Sequence, residues 1–313
     1  LNFHDFTNTG STTVTSSYVV AGNFIQSGTL THADVTVTID SQELWGTSTV
    51  VYSDSLDVSG QDIFPLGMAF NASGTKFYTV GTDNDSVYEY DLSTAYDIST
   101  ARYVDSLDVS SQETDPEDIE FNDDGTKLYV VGDSGITIDE WSLSTPYDIS
   151  TGVGNYVDSM SIGGGEGVPQ GIAFNNDGTK VYVVGATTAD LQEYNVSPAY
   201  DVSTGVRVDA IDLFVSGDSP TGVAFNEDGT EFYVSRRQGL AVERWTMTVP
   251  YDVTTGSFQD SLYVGAPMID DASDHAFNAD YTKLYISSWD GSIYEWDIST
   301  NFASGTFVGS SSL

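Results

Sequence analysis

Two runs of acidic residues are where this 313-residue sequence could do chemistry. One holds Asp115, Glu117, Asp118 and Glu120; the other holds Asp270, Asp271 and Asp274 beside His275, one of three histidines with His4 and His32. Carboxylates converging on one point could hold calcium (Ca2+), a hard cation that takes roughly six to eight oxygens. An imidazole beside them could act as a general base. The plainer reading is that these are solvated loop acids, and that His275, which stands where other units carry an apolar residue, is an ordinary packed side chain. Asp83-Asn84-Asp85 resembles a fragment of a calcium loop, but it lacks the later glycine and glutamate and reads as a hairpin tip. Asn71, Asn84 and Asn195 each open an Asn-x-Ser sequon, a candidate glycosylation site. Nucleophile elbows, zincin helices, Walker loops and cysteine nucleophiles are all missing from the sequence, so the chain is expected to be non-enzymatic.

The elements that must position these residues come from one recurring cassette. FNASGTKFYTVG begins at Phe70, FNDDGTKLYVVG at Phe121, FNNDGTKVYVVG at Phe174, FNEDGTEFYVSR at Phe225 and FNADYTKLYISS at Phe277. The leading phenylalanines stand 51 to 53 residues apart, just above the spacing of common propeller repeats. Within a cassette, a short apolar run meets a hairpin turn and then a second strand rich in β-branched and aromatic residues. A third strand ends in an aromatic, at Tyr90, Trp141, Tyr194, Trp245 or Trp296. A turn such as STAYDIST from Ser93 leads into a fourth strand, as in YVDSLDVS from Tyr103. A four-stranded sheet cannot bury both faces alone, so the units must stack around an axis.

Sliding the repeat one period upstream aligns VTVTIDSQELWGTSTVVYSDSLDVS from Val35 with SVYEYDLSTAYDISTARYVDSLDVS from Ser86. The expectation is therefore an all-β, six-bladed β-propeller of four-stranded antiparallel blades with a degenerate first blade. It spans 13–313, with clear repeats over 48–313, after a β-prone arm at 1–12. Glu89, Glu140, Glu193 and Glu295 recur at one position, with Arg244 in the fourth unit; recurrence in every blade marks architecture. Tyr281 replaces the turn glycine, which predicts a different turn or about 1 kcal/mol of strain. Ala303 replaces the turn aspartate of the same unit.

The FNxDGTKxYV core resembles the YVTN-type and related extracellular β-propeller repeats, and the STxYDIST turn resembles repeats of aquatic bacterial surface proteins and phage structural proteins. The resemblance covers Val35 to the end well and the first 34 residues poorly. It implies a secreted scaffold or binding protein and no particular reaction.

The balance of 9 basic against 47 acidic residues, net −38, argues against nucleic acid and anionic membranes as partners. All four lysines, Lys76, Lys127, Lys180 and Lys283, sit at one cassette position, so repetition explains them. Such a charge is screened at physiological salt and accumulates at about 0.01 M, where the Debye length reaches about 30 Å; the chain is suited to saline or calcium-bearing water. Apolar stretches are only strand length, which predicts no membrane insertion. A start at Leu1 without methionine is what processing of an exported precursor would leave.

Three functions follow as expectations. The first is a secreted, structural or adhesive protein that self-assembles head-to-tail. Its arm, with Leu1, Phe3 and Phe6, would pair with an open edge of the last blade near Phe307, making fibres. The second is glycan or receptor binding through Trp289 on a WDG turn and Phe64 in a channel loop. The third, by analogy with six-bladed lactonases, is a calcium-dependent hydrolase.

Overall fold

Each cassette folds as an antiparallel hairpin whose turn depends on a left-handed residue. Gly74 has φ +67°, and a Cβ there would lie 2.2 Å from the Tyr96 ring, so this turn accepts only glycine. The computed structural model describes residues 50–213, 219–264, 267, 268 and 270–298. Before these it describes only the six short strands of an amino-terminal unit.

The chain divides into two compact units, Leu1–Thr47 and Ser48–Leu313. The second is a propeller of five four-stranded antiparallel blades. The inner strands of blades 1 to 5 are Pro65–Phe70, Pro116–Phe121, Pro169–Phe174, Pro220–Phe225 and Ala272–Phe277. Every inner strand packs against the inner strands of two neighbours, which closes a ring around a channel. Blades 1 to 4 take their strands in sequence order. Blade 5 takes its outer strand, Val50–Asp57, from the start of the unit, in register with Ser292–Ile298.

This closure corrects the expected count of six blades to five. VVYSDSLD is a fourth strand, as its alignment indicated, but it completes the last blade rather than a degenerate first one. It also fills the edge on which head-to-tail pairing depended. In the amino-terminal unit, short strands pair in parallel: Asn2–Phe3 with Val19–Val20, Phe6–Asn8 with Phe24–Gln26, and Thr12–Thr13 with Leu30–Thr31. Leu1, Ala303 and Phe307 lie outside the described residues.

Blades are sewn together by repeated bonds. In each of four blades the cassette tyrosine donates to a carbonyl in the YD turn of the next blade. Tyr129 Oη reaches the Tyr200 carbonyl at 2.7 Å and Tyr182 Oη that of Tyr251 at 2.8 Å; Tyr78 and Tyr285 do the same to Tyr147 and Tyr96. The recurrent glutamate completes the seam. Glu89 accepts from the Ile149 amide of the next blade at 3.1 Å while also pairing with Lys76 in its own. Apolar layers fill the seams, with Tyr78, Val80, Ile119 and Phe121 forming part of one.

Candidate functional site

The channel wall is polar because each inner strand carries a β-bulge near its start. In blade 2, Pro116 faces Gly132 and Asp118 faces Val131, leaving Glu117 as the extra residue, and the same shift occurs in the other four blades. Bulges of this kind re-aim side chains and recur beside binding sites. The position after each opening residue holds Leu66, Glu117, Gln170, Thr221 and Ser273, and the next holds Gly67, Asp118, Gly171, Gly222 and Asp274.

Asp118 and Asp274, expected as loop acids, are buried strand residues that clamp neighbouring blades. Asp118 Oδ2 accepts from the Ile172 amide at 2.9 Å, and its Oδ1 accepts from the Ile119 amide at 2.7 Å. Asp274 Oδ2 accepts from the Met68 amide at 3.0 Å. Glycine is required alongside them: a Cβ on Gly67 would lie 2.4 Å from Asp118 Oδ1, and one on Gly222 would lie 2.0 Å from Asp274 Oδ1. The two carboxyls are close enough to act on each other's ionisation. Burial raises both, and for Asp118 the Asp274 charge adds to it.

Below this pair, toward the carboxyl ends of the inner strands, the channel widens into a cavity of about 560 Å³. Glu120 lines it, pushed up to about 8 by burial. His275 also lines it, 3 % exposed, with both ring nitrogens unpartnered and its pKa lowered to about 3 by burial. An imidazole held that low is a poor base at neutral pH.

Above the pair, at the amino ends of the inner strands, the site is different. The Phe64 and Trp289 rings meet edge-on at 6.4 Å, and the Arg237 guanidinium lies 4.8 Å from the Trp289 ring centroid. Ile63 and Phe64 are 46 % and 43 % exposed. Glu117 is pushed up to about 8, mainly by burial and then by Asp115, with the Arg237 charge acting in the opposite sense. Gln170 Oε1 and Ser273 Oγ are buried in the bulge ring without a hydrogen-bond partner.

The expected metal ligands are thus dispersed. Asp115 stays in its loop, its carbonyl accepting from Asp133, while Asp270 is exposed and Asp271 half-buried at the approach to blade 5. Among the described residues no three His, Cys, Asp or Glu side chains are grouped to hold a metal ion. Buried loop acids that spacing did not single out pin the loops instead. Glu113 accepts from the amides of Asp115, Ser134 and Gly135 at 2.9 to 3.1 Å, and Glu166 serves Gly167, Val168, Thr187 and Thr188 in the same way.

Of the sequon asparagines, Asn71 is 9 % exposed, and its side chain closes the hairpin by accepting from the Lys76 amide at 2.9 Å. Asn84 and Asn195 are exposed. Phe3 and Phe6 belong to the paired short strands of the amino-terminal unit.

No family model matches the sequence, and no curated protein matches it. Among solved structures, one provisionally named a 6-phosphogluconolactonase, from Bacteroides uniformis, is similar with 14 % identity and a TM-score of 0.45. The match covers 71 % of this chain and 63 % of that one.

Proposed function

We propose that this chain is a non-enzymatic, secreted binding propeller that takes a glycan at the upper channel mouth. The observation that carries the reading is the Phe64–Trp289 contact, which joins residues from opposite ends of the propeller sequence into one partly exposed aromatic surface. Sugar rings present apolar C–H faces that stack on such surfaces, while their hydroxyls seek buried polar groups left without partners. Gln170 Oε1 and Ser273 Oγ are such groups, one residue into the inner strands of blades 3 and 5. Arg237 lies over Trp289 and fixes that ring, leaving Phe64 as the more accessible face.

A labelled full-length chain applied to a glycan array tests this. Binding to a restricted set of glycans is expected, with Phe64→Ala weakening it by about tenfold, the loss of roughly 1.4 kcal/mol of ring contact. An array without signal, or signal unchanged in Phe64→Ala and Trp289→Ala, overturns the reading.

A further inference from the structure

The lower cavity carries a charge pattern that the upper mouth does not. Five carboxyl groups line it, Asp118, Glu120 and Asp274 at its floor and Asp123 and Glu227 in the hairpin turns at its rim. No lysine or arginine is among its described lining residues. Several other buried acids of this propeller are paired with cations or with several backbone amides: Glu140 with Lys127 at 2.7 Å, Glu193 with Lys180 at 2.6 Å, Glu113 with three amides. The floor acids have no lysine or arginine beside them: Asp118 accepts from the Ile172 and Ile119 amides, Asp274 from that of Met68 and Glu120 from that of Phe121, and His275 adds a buried imidazole whose nitrogens have no partner in the protein. An unpaired acceptor and uncompensated carboxyls in one enclosure are costly unless a donor-bearing cation fills it.

The walls narrow the choice of cation. No three His, Cys, Asp or Glu side chains among the described residues are grouped as for a metal ion, which favours an organic cation over a bare one. The positions matching Glu120 carry Ala69, Ala173, Ala224 and Ala276, which give the channel methyl-lined sides between the floor acids and the rim acids. A cavity of this volume lies within the usual range for small organic ligands.

We propose that the lower cavity binds a linear diammonium or polyammonium compound, with one ammonium held among Asp118, Asp274 and Glu120. Its methylenes lie along the alanines, and its further ammonium groups meet Asp123 and Glu227. The neutral His275 ring offers an acceptor to the innermost ammonium. Binding displaces the protons that the floor acids hold near neutrality, and affinity rises from pH 6 to pH 8. Tyr96, Tyr200 and Tyr281 face the same space and stay neutral over that interval.

Calorimetric titration of the full chain with spermidine, in 0.15 M sodium chloride, tests the proposal. One binding site is expected, with a heat that varies with the ionisation enthalpy of the buffer because protons are released. Glu120→Ala installs the residue found at this position in the other four blades, which preserves the fold, and is expected to weaken binding by about tenfold or more. Absence of binding overturns the proposal. So does many-site binding unchanged in Glu120→Ala, which would be counterion condensation on an acidic surface. Competitive displacement of spermidine by equimolar calcium overturns it in favour of a metal site.

Discussion

Arg244 lies 3.5 Å from Glu231, a charge pair turned around relative to the other blades. In those, lysine opens the second strand and pairs diagonally with a glutamate on the third, which stands opposite the cassette tyrosine, as Glu140 stands opposite Tyr129 and pairs with Lys127. Blade 4 exchanges the two signs while keeping the register, Tyr233 opposite Arg244. Arg244 then turns to the outer strand of its own blade, gripping Asp260 at 3.0 and 2.9 Å.

Glu231→Lys and Arg244→Glu are each expected to destabilise by about 3 kcal/mol or more, because each buries like charges side by side. The double exchange is expected to recover only part of the loss, since Asp260 then faces a glutamate. Urea unfolding of all four proteins measures this, and strictly additive losses would show that the pair is not coupled.

Tyr281 provides the second prediction. It keeps the hairpin turn of the other blades with φ +55°, so strain is accepted rather than avoided. Its ring lies 5.4 Å from Phe277, matching the 5.3 Å between Phe70 and the turn tyrosine Tyr96 in blade 1. One aromatic has taken the packing place of another, from a different point in the chain. Tyr281→Gly therefore relieves about 1 kcal/mol of strain but forfeits about 2 to 3 kcal/mol of packing. A lower Tm is expected; a higher one would show that the ring contributes little.

The third prediction concerns pH. Burial raises Asp62 to about 6 and Glu117 and Glu120 to about 8, so between pH 4 and 8 the folded chain holds protons that the unfolded chain releases. That contribution is lost as pH rises through this interval. His275, lowered to about 3, acts oppositely, favouring the unfolded chain as pH falls below its ordinary value of about 6.5. Asp124, Asp177 and Asp228 are held below the usual range by threonine hydroxyls, so their contribution disappears as pH falls below about 4. Tm is expected to peak near pH 5 and to decline toward pH 8, less steeply in Glu120→Ala. A Tm that climbs steadily from pH 5 to 8 would contradict this balance.

The blade was legible because every cassette repeats the strand pattern, and four of the five carry the turn glycine and four the recurrent glutamate. The number of blades was not. Val50–Asp57 has the composition of any fourth strand, and a repeat alignment places it one period upstream of blade 1, the same offset it would have in a sixth unit. Only its register with Ser292–Ile298 distinguishes the two. Asp118 and Asp274 were visible as acids, yet their influence on each other follows from ring closure, which brings blade 5 beside blade 1. Arg237 and Gln170 gave no sequence signal, since a bulge and a distant tryptophan define their surroundings.

The borrowed outer strand also sets the order in which the propeller can be completed. Val50 emerges from the ribosome early and must wait for Ile298 before its backbone has a mate. Contacts that distant in sequence form late and slowly. Four blades can mature before the strands of the fifth have all been made, so a nascent chain carries an unsatisfied strand until Ile298 is synthesised. The aspartates at 54 and 57 on that strand put charge on it during the wait, which discourages it from docking on the wrong neighbour.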